Sequence, residues 1–142
     1  MRVFVDANIL VSVLNKEYPL FTYSSRILSL ADYGNFEVYA SPICLAIAWF
    51  FSEKKHKTKI AREKIKTLCR HISIASSTKT AVENALLNPK INDFEDGLEY
   101  YSAIESNCAV IITEDTNDFY FAEIPVLTAR SFFEKYVGKK SG

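Results

Sequence analysis

The stretch VFVDANIL, residues 3–10, joins a β-branched and aromatic run to an acid and then to a short apolar segment. Residues 2–5 read as a strand and 7–14 as a short helix, which leaves Asp6 at the junction. Nothing in an apolar strand requires a charge at its end. Asp6 therefore has two readings: it caps the helix that follows, or it stands at the carboxyl edge of a sheet, where α/β proteins collect ligands. The two are compatible, because a cap anchored behind a buried strand also fixes its carboxylate at that edge.

Outward from this junction, strands and helices alternate with no repeat, low-complexity segment or linker. Residues 20–33 space Phe21, Ile27, Leu28 and Ala31 helically and stop at Gly34-Asn35. FEVYA, 36–40, is a second strand. Ser41 with Pro42 behind it opens a helix whose ICLAIAWFF run is apolar nearly all round, which predicts burial. Residues 57–70 form an amphipathic helix, with Lys59, Arg62, Lys66 and Arg70 opposite Ala61, Ile65 and Leu68. ISIA, 72–75, is a third strand, 78–87 a helix ending near Asn88-Pro89, and 93–106 a further helix. CAVIIT, 108–113, is the continuous apolar run of a strand inside a parallel sheet, PVLTA, 125–129, a last strand, and SFFEKY a closing helix. Such alternation predicts an α/β fold with a central parallel sheet wound by right-handed crossovers.

At 142 residues and 49% hydrophobic content, the chain suits one domain, 1–142, with one core. No apolar run reaches the ~20 residues of a membrane span, and Arg2 precedes no secretory leader, so a cytoplasmic protein is expected. Cys44, Cys69 and Cys108 are odd in number and sit in apolar surroundings, which points to buried thiols and to neither disulfides nor a zinc knuckle. The net charge of zero hides a polarised chain: Glu53–Arg70 carries eight bases against two acids, whereas Ile91–Ala129 carries nine acids and no Lys or Arg. The first segment suits an anion and the second a cation.

Three segments bring acids toward one sheet edge. Asp6 ends the first strand, Asp115 lies two residues after Thr113 at the end of CAVIIT, and Asp93, Glu95 and Asp96 crowd the first turn of a helix, where amide dipoles favour negative charge. Asp93 reads first as an N-cap, Glu95 as a solvated residue, and Asp118 as either a turn residue or part of the site. Other chemistries lack their parts. A haloacid-dehalogenase-type aspartyl-phosphate site needs a second Asp where Asn8 stands, no GxxxxGK[ST] loop exists, and His56 and His71 belong with the solvated basic segment.

VFVDANIL, YASPICLAIAWFF, NDFEDGLEYYSAIESNCAVIITEDTNDF and IPVLTARSFFEKY together resemble the PIN domain family, in the branch of short stand-alone bacterial proteins similar to VapC-type toxins. The resemblance runs along essentially the whole chain in the family's order. It implies a three-layer α/β fold with a central five-stranded parallel sheet flanked by helices, and an Mg²⁺- or Mn²⁺-dependent endoribonuclease. It further implies the toxin half of a type II toxin–antitoxin pair, with RNA as substrate, an antitoxin protein as partner and a homodimer as an assembly to look for. Asp6 matches the family's first acid, Asp96 the acid of its later helix, and Asp115 and Asp118 the acids that follow its fourth strand, with Thr113 the hydroxyl residue of that stretch. One position departs: where the family commonly carries a Glu on the helix after its second strand, this chain has Ile47. That substitution predicts weakened catalysis.

The chemistry fits the residues independently. Phosphodiester hydrolysis builds negative charge on the phosphoryl group and the leaving oxygen, which a hard cation held by carboxylates stabilises. Asp6, Asp96 and Asp115 are the expected direct or water-mediated metal ligands, Asp118 supports them, and a metal-held water is the candidate nucleophile; Thr113 enters the catalytic set through the resemblance alone. Lys59, Arg62, Lys66 and Arg70 are either a solvated face or the contact to RNA phosphates. Tyr100, Tyr101, Tyr120 and Phe121 read as core aromatics before base-stacking ones. The alternative class is a PIN-like RNA- or protein-binding module that has lost turnover through Ile47.

Overall fold

The computed structural model describes residues 1–138, and the last four residues of the expected 1–142 domain lie outside the described residues. In chain order the elements are β1 (Arg2–Val5), α1 (Ala7–Leu14), α2 (Leu20–Ser29), a 3₁₀ turn (Leu30–Asp32), β2 (Glu37–Ala40), α3 (Pro42–Lys55), α4 (Thr58–Cys69) and β3 (Ser73–Ile74). They continue with α5 (Lys79–Leu87), α6 (Phe94–Glu105), β4 (Val110–Ile112), a 3₁₀ turn (Thr116–Phe119), β5 (Val126–Leu127) and α7 (Ala129–Tyr136). The five strands form one sheet in the order β3-β2-β1-β4-β5, every pair parallel.

β1 and β4 are neighbouring inner strands, and their apolar composition has its cause there: Val3, Phe4, Val5, Val110, Ile111 and Ile112 are all fully buried between helices on the two faces. Backbone pairing runs past both strand ends, with Asp6 N–H donating to Ile112 O at 3.0 Å and Thr113 N–H to Leu127 O at 2.9 Å. These two bonds fix the residues that follow the strands. Around the sheet α1 packs on α2 and α3, α3 on α4, α2 on α7, and α5 on α6.

Helix starts follow their caps: Ser41, Thr78, Asp93 and Thr128 each accept a backbone N–H of the first turn through the side chain. Two elements differ from expectation. The helix expected over 20–33 is α-helical only to Ser29 and tightens into a 3₁₀ turn, a common way for a helix end to satisfy its last carbonyls. The helix expected to be buried all round, α3, buries one stripe, Cys44, Ala48 and Ser52 at four-residue spacing, and leaves Phe50 52% and Phe51 44% exposed. α3 packs on α1, α4 and α6, and these partners do not close round it, so Phe50 and Phe51 near its end stay partly in solvent.

Gly97, the fourth residue of α6, is explained by close packing. A Cβ there would lie 3.0 Å from Ile91 Cγ2 and 3.2 Å from Ala85 Cβ of α5. Gly97→Val is expected to destabilise the fold by about 1–3 kcal/mol through overpacking, read as a lower denaturation midpoint with an unchanged m-value.

Candidate metal centre

The sheet order reverses at β1: the chain leaves β1 for β2 on one side, and β4 occupies the other. The carboxyl edge of these two strands is therefore the crevice in which an α/β sheet takes its ligand. Asp6 sits there as the N-cap of α1, its Oδ1 accepting from Ala7 N–H at 2.6 Å. Its Oδ2 accepts the Thr113 hydroxyl at 2.7 Å, from the residue after β4. Thr113 Oγ1 in turn accepts Asp115 N–H at 3.0 Å and so shapes the loop that carries Asp115. Asn8 ties the two loops together: Nδ2 donates to Thr113 Oγ1 and to Asp115 Oδ2, both at 3.1 Å, while Oδ1 accepts Glu114 N–H at 3.3 Å.

From the other side α6 contributes its first two turns. Asp93 caps the helix, accepting Asp96 N–H at 3.3 Å, and Asp96 and Glu99 follow three residues apart on one face. Asp6, Asp96, Asp115, Asp118, Glu99 and Ile47 all line one cavity of about 430 Å³. Ile47 faces the site from α3, so the position where the family's pattern has an acid is an apolar wall here. Lys59, Arg62 and Lys66 on α4 and Arg70 at its C-terminal cap are exposed and do not line this cavity. Arg62 lies over the Trp49 ring, Lys66 is 3.6 Å from Glu63, and Lys59 borders a separate apolar groove of about 680 Å³ between α1, α2 and α4. Tyr100 and Phe121 pack edge to face in the core, while Tyr120 is exposed.

Two residues absent from the expected set belong to the site. Glu99 is 1% exposed, and its carboxyl oxygen lies within 4.8 Å of one of Asp6. Cys44, on α3, donates its thiol to Glu99 Oε1 at 2.9 Å and accepts the Ser41 hydroxyl at 3.2 Å. Among the described residues, Asp6, Cys44 and Glu99 are the group whose ligand atoms all lie within 4.8 Å of one another.

The crowding has an electrostatic signature. Asp96 is pushed up to about 7, by burial first and then by the charges of Asp93, Asp118, Asp6 and Glu95. Glu99 is pushed up to about 11, by burial first and then by its hydrogen bond to Asp6. Burial likewise raises the Cys44 thiol well above its ordinary range, with Glu99 and Asp6 adding to the shift. A protonated, donating thiol is no thiolate ligand. The donors left are carboxylate oxygens with one hydroxyl, a hard set that fits Mg²⁺ or Mn²⁺. No Lys or Arg among the described residues pairs with these acids, so a bound cation is the fitting counter-charge.

A parallel sheet whose neighbouring inner strands end in acids in this way defines an α/β domain with an acidic cluster that could hold a metal ion. Residues 2–117 match the PIN domain model, and the chain belongs to that family. It is similar to Ribonuclease VapC1 of Aquifex aeolicus (strain VF5), 27% identical over 139 residues that span 95% of each chain. The same fold occurs in VapBC2 from Rickettsia felis bound to a DNA fragment from its promoter, with TM-score 0.68, 22% identity, and 89% of this chain and 97% of that one covered. It occurs also in VapBC-1 from nontypeable Haemophilus influenzae, with TM-score 0.67, 15% identity, and 92% and 99% covered.

The raised carboxyl of Asp96 makes stability depend on pH. Below about pH 4 folded and unfolded chains both hold its proton; above that the unfolded chain releases it and the folded one does not, so this group's contribution falls as pH rises through 7. In metal-free protein, Asp96→Asn is expected to melt with the parent near pH 4 and above it at pH 8. Millimolar Mn²⁺ is expected to raise the parent's melting temperature at pH 8 far more than at pH 5.

Proposed function

We propose that this chain, one PIN domain over residues 1–142, is a divalent-metal-dependent endoribonuclease and the toxin of a type II toxin–antitoxin pair. The observation that carries this reading is the convergence of Asp6, Asp96, Asp115 and Asp118 on one cavity at the switch point of the sheet. Similarity to a VapC1 ribonuclease along 95% of the chain supports the activity, and similarity to VapBC structures supports an antitoxin protein as partner. A second copy of the chain is proposed as a further partner. The proposed place of action on RNA is the cytoplasm; among the described residues no helix is long and apolar enough to cross a membrane.

Asp6, Asp96 and Asp115 are assigned as the ligands of Mg²⁺ or Mn²⁺, which when bound offsets the charge that builds on the phosphoryl group and acidifies a water. Thr113 holds Asp6 by its hydroxyl and Asp115 by the backbone, so the ligands keep their spacing before the ion arrives. Asp118, on the wall of the cavity, adds negative charge beside Asp96. Cavity depth at Asp6, 8% exposed, keeps bulk water from competing at the innermost ligand. Lys59, Arg62, Lys66 and Arg70 are assigned to the RNA backbone beyond the cavity.

Cleavage of RNA in Mg²⁺ or Mn²⁺ and its loss in EDTA test the activity. Asp6→Asn is expected to lower the rate by about 100-fold or more, since a ligand to the ion is worth several kcal/mol in the transition state. Tight RNA binding without metal-dependent cleavage would instead favour a binding module, the reading that the apolar wall at Ile47 supports. Replacing Lys66 and Arg70 by Gln is expected to weaken RNA binding and reduce the slope of log K against log salt by roughly 1 to 2.

A further inference from the structure

We propose that Glu99 is the fourth carboxylate ligand of the metal centre, reaching from α6 into the place that an acid at position 47 of α3 would otherwise fill. The inference rests on the metal-dependent reading above and adds a residue that the chain's motifs do not mark.

The geometry on both helices points the same way. Cys44 and Ile47 stand three residues apart on α3 and so share a face. Glu99 Oε1 meets that face directly, 2.9 Å from Cys44 Sγ, and Glu99 and Ile47 line the same cavity. Asp96 and Glu99 are likewise three residues apart on α6, so a cation held by Asp96 lies on the face from which Glu99 projects. The reach to Asp6 is already made, since the carboxyl oxygens of Asp6 and Glu99 lie within 4.8 Å of each other. A carboxylate at 47 would thus line the same cavity as one at 99, the first from α3 and the second from α6, and this chain keeps the second.

A structural role does not account for Glu99. At 1% exposure it pays the desolvation of a carboxyl group, and its partners are a thiol, which is a weak donor, and another carboxylate. No Lys or Arg among the described residues pairs with it. Leu or Gln in its place would fill the same space at lower cost. Two carboxyl groups in contact with no base between them are suited to a cation.

The experiment measures Mn²⁺ affinity directly, by the loss of the free-ion electron paramagnetic resonance signal on titrating protein, with melting temperature recorded in parallel. Glu99→Gln keeps the shape and hydrogen bonding of the neutral side chain. It is expected to melt at or above the parent without metal and to bind Mn²⁺ at least about 10-fold more weakly. The double variant Ile47→Glu/Glu99→Gln, which moves the carboxylate from α6 to α3, is expected to recover most of that loss. Should Glu99→Gln fail to fold, Glu99→Asp, which withdraws the carboxylate by one methylene, is expected to weaken Mn²⁺ in the same sense. Parent-like affinity in a folded Glu99→Gln or Glu99→Asp overturns the assignment while leaving the metal centre intact. A parent that binds no Mn²⁺ at millimolar concentration overturns the metal-dependent reading itself, and this one with it.

Discussion

The hydrogen bond from the Thr113 hydroxyl to Asp6 Oδ2, 2.7 Å long and fully buried at the threonine, is the constraint on which the rest of the site depends. It links the residue after β1 to the residue after β4, which parallel pairing of the two strands has already brought level. Each partner then organises its own segment: Asp6 starts α1, and Thr113 turns the chain toward Asp115 through the backbone bond it accepts. Asn8 adds a side-chain brace between the same two loops. A helix cap, a strand pairing and a ligand set are in this way one structure, and none can be altered without the others.

What this arrangement costs is visible in the acids around it. Asp96 and Glu99 are both held well above the ordinary carboxyl range, chiefly because they are buried among like charges. The fold tolerates this because its core elsewhere is dense and apolar, with β1 and β4 sealed on both faces and Phe4, Phe119 and Phe132 fully enclosed. Stability is supplied by the sheet and its covering helices, and charge strain is confined to one edge. That division of labour between scaffold and site is general in α/β proteins.

How much of this was legible depends on whether the cause is local. Strands β1 and β4 announce themselves by unbroken β-branched and aromatic runs, and α3, α5 and α6 by caps within the same few residues. Asp6, Asp96, Asp115 and Asp118 were legible as candidates because each follows a recognisable element boundary. α3 reads as wholly buried and is not, because apolar character on every side signals burial only where partner elements close round the helix, which composition does not report. Glu99 does not stand out in sequence, where it is one of nine acids in a long acidic segment. Its burial arises from Cys44, 55 residues away, and from Asp6. One local signal existed: at Asp96+3 and four residues before the buried Ala103, Glu99 falls on the inward stripe of α6. The basic stripe on α4 was legible as a stripe, but its distance from the acidic cavity is a tertiary fact.

The separation in sequence between Asp6 and Thr113, 107 residues, has a consequence for synthesis. A growing chain can pair β1 with β2 early, since the two are close in sequence, but Asp6 then faces no Thr113 hydroxyl and no Asp115, even once α6 has been made. Those arrive only when β4 has left the ribosome and inserted on the other side of β1. Every shorter nascent chain, and every fragment truncated before residue 113, lacks the assembled centre. Order of translation thus keeps the site from existing on any ribosome-bound intermediate that has not exposed β4, a safeguard written into the topology alone.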